Sequence, residues 1–287
     1  MSVRGTMGNN YRTGVWVSDH NYDVFDRRLG KSMVDREIRI AEPYRRIGSG
    51  AMKNNIKMKR LQIGNSVKEI GEEAFQGCSN LRSLALDGVR TVQRSAFQGC
   101  TNLKTLEIPK SLRYVEKNAF MENKAVREIR YEAGNLSTVI SPEVFRECNR
   151  LQLIVLPEKL EKVGPRAFYK CKELDGIQFP ATLKEIEEEA FYQNGLTELH
   201  LPNSLVKIND SAFFKCTQLE YVRLPESVKI IGKWVFHGCN RLKVLEIPGD
   251  PEIVGDWIVN RSCTIRCRKG SKIDKYCQEN DFLCEYL

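Results

Sequence analysis

The sequence contains no apolar run approaching the roughly 18 residues of a membrane-spanning helix, so none is expected. Its opening, MSVRGTMGNN, lacks the apolar stretch of a secretory leader. The chain as written is therefore expected in the cytoplasm, with the cell surface or secretion as the alternative if the natural start lies upstream. Histidine is scarce: His20, His200 and His237 are the only ones, and their positions suggest no Ser/His/Asp set. No phosphate-cradling loop is present; Gly71, Gly77, Gly99, Gly232 and Gly238 recur at turn positions instead. Ten cysteines include no C-x-x-C pair, and the last four, Cys263, Cys267, Cys277 and Cys284, follow no common zinc spacing. Neighbouring carboxylates such as Glu72 and Glu73, or Glu187, Glu188 and Glu189, are expected in exposed turns, solvated rather than catalytic. The chain thus reads as a non-enzyme, with no catalytic residue, metal site, cofactor or small-molecule substrate expected.

Hydrophobic residues make up 41% and charged residues 29%, a balance suited to a folded, water-soluble chain. The net charge of +8 is unevenly spread. Residues 1–60 hold 13 Lys and Arg against 6 Asp and Glu, whereas the remaining 227 hold 32 against 31. Arg27, Arg28, Lys31, Arg36, Arg39, Arg45 and Arg46 carry much of the excess. Such a segment suits an acidic partner, nucleic acid or an anionic membrane. It equally suits a solvated terminal cap, which is the expectation here, because no nucleic-acid motif accompanies it and few aromatics interleave with it.

Self-similarity decides the fold. A small residue, an aromatic, two variable residues and then Cys or Asn recur as AFQGC from Ala74 and Ala96, AFMEN from Ala119 and VFREC from Val144. They continue as AFYKC from Ala167, AFYQN from Ala190, AFFKC from Ala212 and VFHGC from Val235, with weaker copies from Ala51 and Ile258. The intervals are 23, 22, 23, 25, 23, 23, 22, 23 and 23 residues. Between anchors runs L-x-x-L-x-I/L-P followed by two apolar residues three apart, as in Leu103, Leu106, Ile108, Pro109, Leu112 and Val115. The L-x-L alternation is that of a short half-buried strand, and proline ends it because it cannot donate to a ladder. The Ala-Phe anchor is expected on a tight turn or a single helical turn. One such coil cannot bury its apolar face alone; stacked at about 4.8 Å, about ten of them would form a solenoid with a column of Phe side chains.

The I-G-x-x-A-F-x-x-C-x-x-L-x-x-L-x-I-P pattern, seen from Ile70 as IGEEAFQGCSNLRSLAL, resembles the BspA-like, or Treponema-type, leucine-rich-repeat family. The resemblance covers residues 37–267, and CRKGSKIDKYCQENDF from Cys267 looks like that family's carboxy-terminal cap. It implies a right-handed leucine-rich-repeat coil whose short parallel strands line a concave face. It also implies binding of proteins or host ligands, often at the surface of organisms living on mucosa. The organisation expected is a basic cap or extension over residues 1–36, with a short strand around Val15 and Val17, a solenoid over 37–267 and a cap over 268–287.

Within that frame, Cys78, Cys100, Cys148, Cys171, Cys216 and Cys239 share one repeat position, which Asn123 and Asn194 fill in two other coils. Exchange of Cys for Asn suggests buried side chains that meet backbone groups, so reduced structural thiols are expected. The functional expectation falls on strand positions that point away from the core. Most are polar, but Leu153, Val155, Tyr221 and Val244 are apolar residues on a face that should be wet. Leu153, Val155, His200, Tyr221 and Arg223 form the candidate epitope for a protein or other macromolecular ligand. Nucleic acid and membrane are not expected partners. The alternatives to a surface-binding scaffold are a cytosolic interaction module and an acidic partner held by the basic segment.

Overall fold

The computed structural model describes residues 23–287; the strand expected around Val15 and Val17, and His20, lie outside them. The described chain is a parallel-strand solenoid of about eleven turns. Most turns contribute a strand of up to four residues to one side and a two-residue strand to another. The longer strands form three sheets. Glu37–Ile40, Arg60–Ile63 and Ser83–Leu86 make the first, and Thr105–Ile108, Glu128–Tyr131, Leu153–Val155 and Gly176–Ile177 the second. Tyr221–Arg223, Val244–Ile247, Thr264–Cys267 and Cys284–Tyr286 make the third. Pairing runs in strict repeat register, Ile129 against Ile154 and Val222 against Leu245, so the middle apolar residue of every strand points inward together.

The expected Phe column is present. Phe75, Phe97, Phe120, Phe145, Phe168, Phe191, Phe213 and Phe236 are fully buried. Successive rings stack with centroids 5.1 to 6.1 Å apart. The widest step, Phe120 to Phe145, crosses the single 25-residue interval. The same coil interrupts the short-strand side: Val24–Phe25 to Tyr114–Val115 form a five-stranded sheet, and Val139–Ile140 to Ile253–Val254 a six-stranded one. The extra chain there turns at Gly134, and the Asn135 side chain substitutes for lost ladder bonds. Its Nδ2 donates to the carbonyls of Pro109 (2.9 Å) and Leu112 (3.0 Å), and its Oδ1 accepts from the Ser137 amide (2.9 Å).

The anchor forms tight turns, not a helical turn. The amides of Ala74, Gln76 and Cys78 donate back within the coil to Gly71, Glu73 and Phe75. Those of Glu73, Phe75 and Gly77 donate forward to Arg94, Ala96 and Gln98 of the next coil. Because alternate amides leave the coil, an i→i−4 helix cannot form, and the turns themselves become a third intercoil ladder. The alternation needs a left-handed residue before the small residue and another before the Cys or Asn, such as Arg166 (φ 55°) and Lys170 (φ 58°). Gly77 fills the second position at φ 71°, where a Cβ would also fall 2.2 Å from Asn54 Oδ1.

The ends depart from the repeat. In the first turn the six-residue helix α1 (Arg27–Ser32) stands where the anchor would be, capped by Asp26 Oδ1 accepting from the Leu29 amide at 2.9 Å. The Val24–Phe25 strand already pairs with Arg46–Ile47, so the stack includes residues ahead of 37. At the other end α2 (Lys272–Asn280) packs Ile273 and Cys277 onto the last coil, and Cys284–Tyr286 adds a final parallel strand beside Thr264–Cys267.

Candidate functional site

On the long-strand face the residues expected to bind fall into two places. Tyr221, Arg223 and His200 line one open depression of about 710 Å³, together with Glu198, Glu220 and Arg241. Val155 lines a separate one of about 440 Å³ with Glu107, Arg130 and Tyr131. Leu153 lies half-buried beside Gly176, whose missing side chain leaves it room: a Cβ there would meet Leu153 Cδ1 at 2.9 Å. The coil holding His200 forms no strand on this face, so the long-strand ladder is open between Gly176–Ile177 and Tyr221–Arg223.

One residue of the face that sequence reasoning did not select organises the first depression. Glu246 is 7% exposed although it stands at a strand position that points outward in other coils. Its Oε2 accepts from the Tyr221 hydroxyl at 2.8 Å, and its Oε1 pairs with the Arg223 guanidinium. The register places Arg223 directly beside Glu246 and Tyr221 one step diagonally away. The carboxylate therefore fixes two residues whose side chains remain about half-exposed, 47% for Tyr221 as a residue and 56% for the Arg223 side chain. Around them stand two further pairs, Glu198 with the His200 ring at 3.2 Å and Glu220 with Arg241. The strand sequence LEIP occurs at Glu107 as well as Glu246, and Glu107 is exposed. The signal that separates them is the Tyr and Arg of the preceding coil, visible only once the register is fixed.

The paired carboxylates are not simply solvated. Glu73 bonds Lys53 at 2.7 Å, and Glu72 pairs with Arg94, Glu187 with Lys162 and Glu189 with Arg166. All of these partners lie one coil away, because stacking brings repeat-equivalent turns together. Beside the Phe column Tyr169, Tyr192, Phe214 and His237 form a second, half-buried row with centroids 4.6, 5.2 and 5.8 Å apart. The basic end is exposed at Arg27, Arg28, Lys31, Arg36, Arg39 and Arg45, while Arg46 pairs with Glu69 at 3.4 Å. Val34 and Ile56, 57% and 60% exposed, stand in a small depression there with Arg27, Lys31 and Lys57.

The six ladder cysteines are buried and reduced. Five donate from Sγ to the Phe carbonyl of the previous coil, as Cys171 does to Phe145 at 3.2 Å, and Cys78 donates to Met52. Asn194 Nδ2 makes the same bond to Phe168 at 2.8 Å, whereas Asn123 Nδ2 donates to the Phe120 carbonyl of its own coil at 3.0 Å. Burial pushes the thiols of Cys78, Cys148 and Cys239 up to about 12. All six should therefore resist a maleimide at neutral pH in the folded chain and react fully in denaturant. Labelling mapped by peptide mass spectrometry checks this, and rapid native labelling of the six would contradict the ladder.

Among the described residues no helix is long and apolar enough to cross a membrane. The model of the BspA type leucine rich repeat region matches in 6 copies over residues 34–149 and 138–266. Among solved structures the chain is similar to a leucine-rich repeat protein from Bacteroides ovatus, with 21% identity, 81% of this chain and 72% of that chain covered, and a TM-score of 0.60. It is also similar to the pneumococcal vaccine antigen PcpA, with 17% identity, 88% and 78% covered, and a TM-score of 0.53. At these identities the likeness speaks for the fold. No curated protein matches the chain in sequence.

Proposed function

The chain belongs to the BspA-type leucine-rich-repeat family, and from that premise we propose that it is a non-catalytic scaffold that holds a protein partner against its long-strand face. The observation that carries this reading is the Tyr221–Glu246–Arg223 cluster. A buried carboxylate holds an aromatic and a guanidinium in place before any partner arrives, so less side-chain entropy is lost on binding. Tyr and Arg are the residue types that most often dominate interface energetics. The flanking Glu198, His200, Glu220 and Arg241 supply a polar rim. The face serves an external or a cytosolic partner equally; fractionation of the native protein assigns the compartment.

Tyr221→Ala and Arg223→Ala are each expected to weaken partner binding by more than about 1 kcal/mol, roughly fivefold or more in Kd. Tyr221→Ala should move the melting temperature little, whereas Arg223→Ala should lower it more, because it leaves the buried Glu246 carboxylate without its ion-pair partner. The second reading rests on the exposed Val34 and Ile56 within the basic end, a combination suited to an acidic partner. Titration of the captured partner against both variants, and against joint charge reversal of Arg27, Arg28 and Lys31, separates the two. Normal binding by both Ala variants, with steeply salt-dependent binding lost on charge reversal, would move the site to the basic end.

A further inference from the structure

The carboxy-terminal cap brings together three thiols from three elements. Cys267 ends the strand Thr264–Cys267, Cys277 lies on α2, and Cys284 begins the strand Cys284–Tyr286. The Sγ atoms of Cys267 and Cys284 are 3.6 Å apart, and Cys277 approaches the same Cys284 thiol. The pairing explains the contact: Cys284 lies beside Ile265 and Tyr286 beside Cys267, so Cys267 and Cys284 sit diagonally on one face of the last strand pair. The six ladder thiols are arranged otherwise. Each donates to a backbone carbonyl of the previous coil, whereas Cys267 and Cys284 meet each other, Cys284 Sγ also reaching the Glu285 carbonyl at 3.9 Å. Cys267 and Cys277 are buried, and Cys284 is the thiol of the three that solvent reaches.

We propose that Cys284 and Cys267 form a thiol–disulfide exchange site that takes low-molecular-weight disulfides and closes to a Cys267–Cys284 disulfide across the cap. In the first step the Cys284 thiolate attacks one sulfur of the small disulfide. A mixed disulfide forms on Cys284 and one small thiolate leaves. In the second step the Cys267 thiolate attacks Cys284 Sγ, the mixed disulfide breaks, and the second small thiolate leaves. The cap loses two electrons and two protons, and the small disulfide gains both as two thiols. Closing the 3.6 Å gap to a bond of about 2.05 Å requires the last strand to move, because diagonal neighbours in a sheet stand about 7–8 Å apart and a disulfide spans at most about 6.8 Å between Cα atoms. The bond would tie residues 17 apart and enclose α2, fixing an edge strand flanked by the exposed Leu283 and Leu287.

The order of steps follows from exposure, and their rates differ. Burial pushes the Cys267 thiol up to about 12; Cys284 and the Asp274 carboxylate on α2 act in the same direction, against a hydrogen bond with the Ser271 hydroxyl that lowers it. The other groups packed against the site are Cys277 on α2 and Tyr286, whose hydroxyl lies 3.4 Å from Asp274 Oδ1. Closure therefore waits on a small thiolate fraction and should quicken about tenfold per pH unit through the mildly alkaline range.

Incubation of the intact chain with excess glutathione disulfide, acid quenching and peptide mapping test the site. The expected product has lost two hydrogens, links Cys267 to Cys284, leaves the six ladder cysteines free, and reverts with dithiothreitol. Cys267→Ser should stop at the glutathione adduct on Cys284. The closed form of the wild-type chain should also melt a few degrees higher than the reduced chain. A wild-type chain that stays reduced, stops at the adduct, or links Cys277 to Cys284 overturns the proposal. The wild-type map decides this whether or not the Ser variant folds.

Discussion

Phe168→Ala is expected to lower the stability of the solenoid by about 3–5 kcal/mol, read as a shift of the midpoint in a denaturant titration. Phe168 is fully buried and stacked on both sides, on Phe145 at 5.6 Å and Phe191 at 5.2 Å. Truncation removes the transfer free energy of the ring and leaves a cavity in the middle of the column. The cavity has little means of collapse, because the coils above and below are pinned by three ladders. The Phe168 amide belongs to one of them, donating to the Ala190 carbonyl of the next coil, while its carbonyl accepts from the Cys171 amide within the coil and from Asn194 Nδ2 of the next. Tyr169→Ala is the control: one residue on, half-buried in the outer aromatic row, it should cost distinctly less. A loss below about 1 kcal/mol for Phe168→Ala would mean that the coil relaxes around the gap. The turn ladder would then not be the rigid element described here.

The Phe column and the thiol ladder are legible in the sequence because each is one residue type at one period. Where a side chain repeats every 22 to 25 residues and its neighbours repeat with it, stacking is the arrangement that buries them all. What the sequence conceals is whatever depends on two coils at once. Glu107 and Glu246 share the same local strand sequence, yet only Glu246 is buried, because Tyr221 and Arg223 stand beside it in the preceding coil. Glu73 and Glu189 likewise look solvated until the stack sets Lys53 and Arg166 against them. The backbone of the anchor is hidden for another reason. Glu73, Arg166 and Trp234 share a left-handed conformation but no side-chain property, since the alternation of intracoil and intercoil hydrogen bonds imposes it. The first turn has no anchor to find, because α1 replaces it. Counting anchors therefore yields about ten turns where the chain makes about eleven.

Deletion of residues 268–287 should cause aggregation, because the cap covers two different liabilities. The first is apolar. Ile273, Cys277 and Phe282 are buried against the last coil, and Phe282 stacks on Tyr276 at 5.5 Å and meets Trp257 edge-on at 6.2 Å. Without them Ile258, Val259 and Ile265, all fully buried in the intact chain, lose cover. The second is the backbone. Cys284–Tyr286 occupies the edge of the strand Thr264–Cys267, whose free amides and carbonyls would otherwise template pairing with another chain. The two liabilities can be separated. Removing residues 283–287 alone frees the strand edge but leaves α2 seated through its Ser271 cap, whose hydroxyl accepts from the Asp274 amide at 3.2 Å. That shorter deletion should lower the melting temperature and promote slow self-association while the coils stay folded. The full deletion should add loss of the last coil. Light scattering after size-exclusion chromatography, with melting followed by circular dichroism, reads both. A full deletion that remains monomeric with unchanged melting would mean that the last coil needs no cover, and would remove α2 and the final strand from the folded core.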